Sequence, residues 1–400
     1  MKIKPIVLCG GSGSRLNLEK NRNLPKQFID FGGWTLFEKT LERIKSSIFD
    51  TPIISTNKKY LKLVKFYLKI KKINNYKIIL EPLKKNTAAA ILSSTLIEDI
   101  PSTQPLVFFS SDHLIEKKSI LEKSLKNNKM RLNSQNLFIF GIKPTSPSSE
   151  YGYFLTKKIK VNMNKVCKFI EKPNVSKAKQ VIKKKGYWNS GMFFIRKDSI
   201  INNFKKYQPS IYRHCLRSIE NSIIKSNIIY LNKFHFSKIK SLSFDYAILE
   251  KVNKIFAIKL NIHWSDLGSW KEILKMYNRN KAKYIQKRNI FYRPWGKYTN
   301  IFKGKNFLIK ELFIKPKGIL SLQKHNYRSE HWLVTQGNPK IILNKEIFKS
   351  KPNDHIFIPV KAIHRIINDG KKPVKISEAQ IGTVIKESDI ERIQDEYNRI

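Results

Sequence analysis

The amino-acid sequence predicts an α/β protein in which a doubly wound parallel sheet is followed by a small all-β barrel. Two observations carry this prediction. Up to about residue 275, short apolar runs alternate with segments whose apolar residues recur at helical spacing, as in a doubly wound sheet. From residue 293 onward, apolar residues recur at every second position and turn sequences separate the runs, which is typical of a barrel.

A glycine-rich loop follows the first apolar run, residues 5–8, which predicts a short buried strand. Glycines let backbone N–H groups approach an anion closely, and nearby cations add the positive charge that a triphosphate needs. A Walker loop would end in Gly-Lys-Ser or Gly-Lys-Thr, and a dinucleotide fingerprint would place a glycine near Leu16; the sequence has neither. The alternative is a plain glycine turn. The candidate phosphate-site residues are Gly10, Gly11, Gly13, Arg15 and Lys26.

The next elements bring further candidates to the carboxyl ends of strands, where doubly wound sheets collect ligands. Glu81 closes one predicted strand, and Asn86 is expected to cap the helix that begins at Thr87. Asp112 ends another apolar strand, and an aspartate there can hold a magnesium ion that bridges phosphate oxygens. An aspartate that only begins a turn is the alternative. The predicted helices are 36–46, 58–70 and 87–98, and the predicted strands are 52–55, 78–82 and 106–112.

Polar groups suited to a sugar phosphate occur in the middle of the chain. Glu171 and Asn189 can hydrogen-bond hydroxyl groups, and Lys172 can hold a phosphate. Gly152 lies between two tyrosines in a separate short motif. A charged turn is the alternative for the segment that contains Glu171 and Lys172.

Two more aspartates complete the first part of the chain. Residues 244–251 predict a helix that Asp245 caps. Asp266 precedes Gly268, which allows a tight turn. Asp112 and Asp266 are two strand-end carboxylates far apart in the sequence, and such a pair suits a metal-assisted phosphoryl-transfer site.

The second part has its own candidate metal ligands. Gln323 and His325 alternate onto one strand face, and Glu330 with His364 can complete a mixed nitrogen and oxygen site. A single histidine in a strand is more often structural, which is the alternative here.

Taken in order, these motifs resemble those of the sugar nucleotidyltransferases, and more closely those of the mannose-1-phosphate guanylyltransferases. The barrel part resembles the cupin domain of the type II mannose-6-phosphate isomerases, with Asn326 and Tyr327 where relatives often have histidines. The segments that carry the resemblance are 10–16, 25–28, 81–90, 110–113, 141–145, 151–153, 169–173, 188–193, 264–270, 293–296, 323–332, 364–365 and 378–397.

The resemblance implies a Rossmann-like, doubly wound nucleotidyltransferase domain over residues 1–275 and an all-β cupin barrel over residues 293–400. Residues 276–292 are identified as a shortened linker, because bifunctional relatives carry a further β-rich segment there. The implied protein is a cytoplasmic enzyme of GDP-mannose and polysaccharide biosynthesis, with homodimerisation as a further expectation.

The first implied activity transfers GMP from GTP to mannose 1-phosphate and releases pyrophosphate. Mg²⁺ on Asp112 and Asp266 would act with Arg15, Lys26 and Lys172 on the phosphates. The implied nucleotide-binding residues are Gly10, Gly11, Gly13, Glu81, Asn86 and Thr87. The implied sugar-binding residues are Gly152, Glu171 and Asn189.

The second implied activity interconverts mannose 6-phosphate and fructose 6-phosphate. A divalent metal (zinc, manganese, cobalt or iron) would bind Gln323, His325, Glu330 and His364. Arg328 and Arg365 are candidates for binding the phosphate or moving a proton. A guanylyltransferase whose cupin is only structural or regulatory is the alternative.

The charge balance raises a function of another class. The chain has 78 lysines and arginines against 30 acidic residues, a net charge of +48, which would suit nucleic acid or an anionic membrane. The lysines are spread along the whole chain, as a compositional bias would give, so a nucleic-acid-binding protein is disfavoured. No apolar stretch approaches bilayer-spanning length, and no membrane partner is expected. Three distant cysteines favour a reduced, cytosolic chain.

Overall fold

A computed structural model of the 400-residue chain describes residues 1–11, 25–29, 31, 34–160, 163–279 and 290–397. The chain divides into two compact units. The first consists of residues 1–11 and 35–266, and the second of residues 12–34 and 267–400. The boundaries predicted at residues 275 and 293 stay predictions.

The first unit is built on one large mixed sheet. The sheet order is β10-β11-β3-β2-β1-β4-β9-β6-β12-β8-β7, and a separate pair consists of β5 and β13. Its strands are β1 Lys4–Cys9, β2 Ile53–Asn57, β3 Lys77–Glu81, β4 Pro105–Ser110, β5 Leu114–Ile115, β6 Leu137–Ile142, β7 Tyr153–Lys160, β8 Met163–Ile170, β9 Tyr187–Arg196, β10 Ile223–Lys225, β11 Ile228–Tyr230, β12 Ile255–Leu260 and β13 Trp264–Ser265.

Helices connect and cover these strands. The helix α3 is buried over almost its whole length, and its small side chains Ala88 and Ala89 belong to the same apolar core cluster as Ile6 and Ile79 of the sheet. The helices are α1 Leu36–Ile44, α2 Leu61–Ile70, α3 Asn86–Thr95, α4 Lys118–Lys129, α5 Val175–Lys183, α6 Lys197–Tyr207, α7 Pro209–Glu220 and α8 Lys233–Ser237.

The centre of the sheet fixes the position of the candidate site. Strands β11, β3, β2, β1 and β4 are parallel, so their carboxyl ends share one edge. Strand β1 lies between β2 and β4. Crossover connections join these parallel strands along the chain. The loop after β1 therefore opens at the edge where ligands collect in doubly wound sheets.

Two details differ from the sequence predictions. The sheet is mixed, because β9 runs antiparallel between β4 and β6, and an apolar run does not reveal its direction. Asn86 is the first residue of α3, with φ of 64°, and Lys85 occupies the cap position. The Asn86 side chain instead accepts a hydrogen bond from the backbone N–H of Thr87 at 2.8 Å.

The second unit is a two-sheet β-structure, as expected for a cupin barrel. One sheet has the order β14-β15-β16-β23-β18-β21 and the other β20-β19-β22-β17-β24. Its strands are β14 Ile290–Arg293, β15 Gly296–Lys303, β16 Phe307–Ile314, β17 Leu322–His325, β18 Arg328–Gln336, β19 Lys340–Leu343, β20 Glu346–Lys349, β21 His355–Ile358, β22 His364–Ile367, β23 Val374–Gly382 and β24 Ile390–Gln394. A helix, α9 Trp270–Arg279, also belongs to this unit.

The core of the second unit contains a cluster of apolar side chains and, beside it, buried polar groups. Trp332, Ile341, Ile366 and Ile376 are buried together with other apolar side chains. Along β18 the same face that carries Trp332 also carries the buried Glu330, because every second residue of a strand points to one face. The strand periodicity thus places polar groups inside the barrel.

Within the described ranges, no helix combines the length and apolar character that crossing a bilayer requires.

Gly296→Ala is expected to destabilise the protein by about 2 kcal/mol or more, because the backbone at this position has room and a conformation only for glycine. Gly296 has φ of 150°, and an added Cβ would lie 2.0 Å from the backbone oxygen of Phe313 on the paired strand. Thermal melting of the full chain measures the effect. Gly370→Ala is the matched control, since the nearest atom to an added Cβ there would be Asn368 Oδ1, at 3.3 Å. Equal melting temperatures for both variants would contradict the prediction.

Candidate active sites

In the first unit, Glu81 lies at the carboxyl end of β3 and faces the loop after β1. The Ser55 hydroxyl donates a hydrogen bond of 2.6 Å to Glu81 Oε1, and a Cβ on Gly10 would lie 3.6 Å from the same oxygen. Burial raises the pKa of Glu81 to about 7. Gly11 has open space around its Cα, so the backbone is accessible there. The arrangement offers backbone and carboxyl groups to one ligand.

Residues at the start of α3 are held by other parts of the unit. The Thr87 hydroxyl accepts a hydrogen bond of 2.9 Å from the backbone N–H of Phe244. Lys85 Nζ donates to the backbone oxygen of Ser237 at 2.6 Å. Gly13 and Arg15 lie outside the described residues. Lys26 is buried in a short 3-10 turn of the second unit.

The small antiparallel pair of β5 and β13 brings Asp112 and Asp266 to one end of the unit. Leu114 pairs with Ser265, and Ile115 pairs with Trp264. Asp266 directly follows Ser265, while Asp112 lies two residues before Leu114. Because the strands are antiparallel, both aspartates emerge at the same end of this ladder. Two carboxylates separated by more than 150 residues of sequence therefore belong to one locality.

Aromatic groups fix this locality. Tyr151 donates a hydrogen bond of 2.8 Å from its hydroxyl to Asp266 Oδ1. Trp264 donates from Nε1 to His113 Nδ1 at 3.3 Å. The Tyr151 ring packs against the rings of Trp188 and Trp264, each with centroids 5.0 Å apart. Asp266 is thus oriented by a side chain from the Tyr151–Tyr153 motif.

The candidate sugar residues also converge. Asn189 donates from its backbone N–H to the Gly152 oxygen at 2.8 Å, and an added Cβ at Gly152 would lie 2.6 Å from Glu171 Oε2. Asn189 Nδ2 donates to Asp245 Oδ1 at 2.9 Å. Lys172 is exposed, with φ of 40°, directly after Glu171. Gly152 therefore leaves the space that the Glu171 carboxyl group occupies.

The sequence did not predict that Asp245 lies beside the candidate sugar residues, where it accepts a hydrogen bond from Asn189. Its predicted role as a helix cap is wrong, because it begins a five-residue π-helical turn, Asp245–Leu249, with Phe244 before it and no side-chain cap bond. Burial raises the pKa of Asp245 to about 6. Burial, together with the charge of Asp245, raises the pKa of Glu171 to about 7. Perturbed carboxyl groups of this kind are enriched at functional sites.

In the second unit, three buried side chains converge inside the barrel: His325, Glu330 and His364. Their donor atoms lie within 4.8 Å of one another. Glu330 Oε1 lies 3.0 Å from His325 Nε2, and Glu330 Oε2 lies 3.8 Å from His364 Nε2. Burial alone would raise the pKa of Glu330, but His325, His364 and the Arg328 guanidinium hold it well below 4.5.

The hydrogen bonds of the two histidines fit a metal site. His364 Nδ1 lies 2.9 Å from the Ala362 carbonyl, and His325 Nδ1 lies 3.3 Å from the Asp389 carbonyl. Each contact favours a proton on Nδ1 and leaves the Nε2 lone pair for a ligand. His364 Nε2 is buried and has no hydrogen-bond partner among the described residues. Two imidazoles and a carboxylate suit a divalent transition metal.

Gln323 and Arg328 complete the surroundings of His325. The side-chain nitrogen of Gln323 lies 3.5 Å from His325 Nε2, and Arg328 Nη2 lies 3.2 Å from the same atom. Arg328 Nε also donates to Glu330 Oε1 at 3.2 Å. Gln323 and Arg328, which the sequence singled out as candidates, therefore lie close to the cluster of His325, Glu330 and His364.

Arg365 is not brought to this cluster. It follows His364 on β22, so its side chain leaves the opposite face of the strand. It donates from Nη2 to the Gln394 oxygen at 3.1 Å and from Nη1 to Glu396 Oε1 at 3.4 Å. Its contacts thus hold the end of β24.

The sequence also missed polar residues that line the barrel cavity beside the histidines. Glu378 accepts hydrogen bonds from Trp332 Nε1 at 3.1 Å and from Gln380 Nε2 at 2.8 Å. Lys310 Nζ lies 3.8 Å from Glu378 Oε1. Burial, with the charge of Glu330, raises the pKa of Glu378 to about 8. Arg293, Lys310, Gln323, Arg328, Glu330 and Glu378 all line this one cavity.

Comparison with known families identifies both parts of the chain. Residues 4–283 match the nucleotidyl transferase family, and residues 279–395 match the family described as mannose-6-phosphate isomerase C-terminal. The chain belongs to the nucleotidyl transferase family and carries a mannose-6-phosphate isomerase C-terminal domain. The resemblance drawn from the motifs is thereby confirmed.

Individual relatives resemble the chain over nearly its whole length. The alginate biosynthesis protein AlgA of Pseudomonas fluorescens is 29% identical, covering 99% of this chain and 96% of the relative. The mannose-1-phosphate guanylyltransferase RfbM of Salmonella typhimurium is 28% identical, covering 98% and 97%. Both alignments span 466 positions, so the relatives contain segments with no counterpart in this 400-residue chain. The crystal structure of mannose-6-phosphate isomerase from Helicobacter pylori is 31% identical with a TM-score of 0.58, covering 66% of this chain and all of that one.

Glu171→Gln is expected to stabilise the protein at pH 8 relative to the wild type, and to do so much less at pH 5. The pKa of Glu171 is about 7 in the folded chain against an ordinary 4.5. Between these values the folded state holds a proton that the unfolded chain has lost, so wild-type stability falls as the pH rises. Urea unfolding at several pH values measures this, with the exposed Glu220→Gln as control. A pH-independent difference would contradict it.

His364→Ala is expected to lower the metal bound by the protein about tenfold or more, because one of the three clustered donor groups is lost. Protein is loaded with zinc or cobalt, desalted and analysed for metal by mass spectrometry. His214→Ala, on α7 of the first unit, is the control and is expected to retain the wild-type content. Equal metal in both variants would show that these side chains do not hold the ion.

Proposed function

We propose that this chain transfers GMP from GTP to mannose 1-phosphate, giving GDP-mannose and pyrophosphate. The observation that carries this proposal is the pairing of β5 with β13, which brings Asp112 and Asp266 to one end of a sugar-nucleotidyltransferase fold. The relative RfbM is named as a mannose-1-phosphate guanylyltransferase, which supports the substrate assignment.

The proposed reaction is an in-line displacement. A phosphate oxygen of mannose 1-phosphate attacks the α-phosphorus of GTP, and the bond to the β-phosphate oxygen breaks to release pyrophosphate. Asp112 and Asp266 would hold Mg²⁺, which neutralises the charge that develops on the phosphates. Arg15 and Lys26 contribute further positive charge toward the triphosphate.

The sugar phosphate would be held beside the carboxylates. Lys172 follows Glu171 and is exposed, so its amino group can reach the phosphate of the sugar. Glu171 and Asn189 offer oxygen and amide groups to the sugar hydroxyls. Glu81, Asn86 and Thr87, with the backbone of Gly10 and Gly11, would hold the nucleotide, and Gly152 leaves room for the Glu171 carboxyl group of the sugar subsite.

The transfer is tested by incubating purified protein with Mg²⁺, mannose 1-phosphate and each nucleoside triphosphate in turn. The proposal predicts GDP-mannose and pyrophosphate in equal amounts with GTP, and far less product with ATP, CTP or UTP. Glucose 1-phosphate in place of mannose 1-phosphate tests the sugar. No product with GTP would refute the assignment.

We further propose that the barrel interconverts mannose 6-phosphate and fructose 6-phosphate. The supporting observation is the cavity in which Glu378 and Lys310 lie next to the His325, Glu330 and His364 cluster. A divalent metal bound there would polarise the C1 and C2 oxygens of the sugar. Glu378, with a pKa of about 8, can take the C2 proton and return it to C1. Arg328 and Lys310 offer positive charge to the substrate.

The alternative, in which the barrel is only structural or regulatory, makes a different prediction. Protein supplied in turn with zinc, manganese, cobalt and iron is assayed for formation of mannose 6-phosphate from fructose 6-phosphate. Glu378→Gln is expected to lose the activity while keeping the metal, because glutamine cannot carry a proton between carbons. No isomerisation with any of the metals would favour the structural role.

The setting of these reactions is also part of the proposal. No disulfide joins Cys9, Cys167 and Cys215, which accords with the reducing cytoplasm that we propose as the location of the enzyme. A homodimer is proposed as well, and sedimentation of the full chain tests it. A nucleic-acid role would instead require tight binding that falls steeply with salt.

Asp266→Asn is expected to lower guanylyl transfer at least about a hundredfold and to leave isomerisation unchanged. The asparagine keeps the hydrogen bond from Tyr151 but loses the charge that a cation needs. Both activities are measured on the same preparation. Asp99→Asn, an exposed aspartate paired with Lys77, is the matched control. Loss of both activities in protein that still melts cooperatively would argue against separate sites.

A further inference from the structure

Arg43 on α1 is a buried cation that the proposed mechanism does not use. Its side chain is only 3% exposed, and burial lowers its pKa to about 9. Among the described residues, no carboxylate forms an ion pair with it; its guanidinium donates to Thr40 and to a backbone carbonyl and lies 5.7 Å from the Phe109 ring. Burying an unpaired charge is costly, so packing alone is a poor explanation.

The contacts of Arg43 point to the loop that carries Asp112. Arg43 Nη2 donates a hydrogen bond of 3.2 Å to the backbone oxygen of His113. The Thr40 hydroxyl, one turn earlier on α1, donates to the Leu36 carbonyl of its own helix at 3.0 Å, accepts from Arg43 Nη1 at 3.3 Å and lies 3.4 Å from the backbone oxygen of Ser111. The carbonyl groups on both sides of Asp112 are therefore contacted by one helix.

The helix that provides these contacts is itself firmly placed. Thr35 caps α1, and the backbone N–H of Thr35 donates a hydrogen bond of 2.8 Å to Glu38 Oε2 in return. Leu36, Phe37 and Leu41 are fully buried against the first unit. Because α1 is fixed by its cap and its apolar face, Arg43 and Thr40 meet the loop at fixed points.

We propose that Arg43, acting with Thr40, is a positioning residue that sets the direction of the Asp112 carboxylate. The guanidinium holds the backbone oxygen of His113, the residue after Asp112, and the Thr40 hydroxyl packs beside the backbone oxygen of Ser111, the residue before it, so the loop between β4 and β5 has one arrangement. A charged guanidinium at this buried position can donate a hydrogen bond to the His113 carbonyl from inside the core, whereas an apolar side chain there could not donate one. The inference rests on the proposed transferase function, in which Asp112 holds the magnesium ion.

The test compares Arg43→Met, Arg43→Lys and Thr40→Val with Lys39→Met. Lys39 lies on the same helix and its side chain is exposed. Lys39→Met removes the same positive charge as Arg43→Met, so it is the matched control. Amide hydrogen exchange of the peptide that spans residues 110–115 is measured on the full chain. The Mg²⁺ concentration for half-maximal guanylyl transfer and the KM for mannose 1-phosphate are measured on the same preparations.

Exchange at residues 112–114 is expected to rise about tenfold in Arg43→Met, the size of change that loss of one hydrogen bond gives. The Mg²⁺ requirement is expected to rise about tenfold as well, with KM for mannose 1-phosphate within about twofold of wild type. Arg43→Lys, which keeps a donor, is expected to recover part of both effects. The control is expected to match the wild type.

Unchanged exchange at residues 112–114 in a folded Arg43→Met protein would overturn the inference, and so would faster exchange with an unchanged Mg²⁺ requirement. If Arg43→Met does not fold, Thr40→Val decides by the same two measurements. A wild-type protein that makes no GDP-mannose refutes the proposed function instead. In that case the exchange result alone decides whether Arg43 holds the loop.

Discussion

The first unit depends on a two-residue antiparallel ladder. Asp112 follows the end of β4 in the main sheet by two residues, whereas Asp266 follows β13, which lies outside that sheet. Pairing of Leu114 with Ser265 brings the second carboxylate back to the same end. The hydroxyl of Tyr151 then orients Asp266, and Arg43 on α1 donates a hydrogen bond to the loop that carries Asp112. Backbone pairing, aromatic packing and a buried cation thus converge on one locality.

The barrel solves a different problem, which is to keep charged groups inside a small core. Glu330 accepts hydrogen bonds from Trp332, Arg328 and Gln380 and lies beside two histidines, so its charge is compensated. Burial, with the charge of Glu330 beside it, raises the pKa of its neighbour Glu378 to about 8. One carboxyl group therefore stays charged while the other can hold a proton. Environments that separate the pKa values of paired acids are typical of acid–base sites.

Much of this arrangement could be predicted from the sequence, and the misses have identifiable causes. Periodicity and motif order predicted both folds, and the comparisons confirmed the two families. Periodicity did not show that β9 is antiparallel, because direction leaves no mark on an apolar run. Asp245 was missed because a short polar residue before a helix looks like a cap, whereas its partner Asn189 is 56 positions away. Lys310 and Glu378 did leave a signal, since each occupies an inward position of a strand where apolar residues are expected.

The central claim is that Asp112 and Asp266 share one cation with the phosphates of the nucleotide and the sugar. Crystals grown with manganese, mannose 1-phosphate and a non-hydrolysable GTP analogue test it most directly, through the anomalous signal of the metal. The account predicts a manganese peak about 2.2 Å from a carboxylate oxygen of each aspartate and in contact with the α-phosphate. A manganese ion bound to the nucleotide with neither aspartate in its coordination sphere would contradict it.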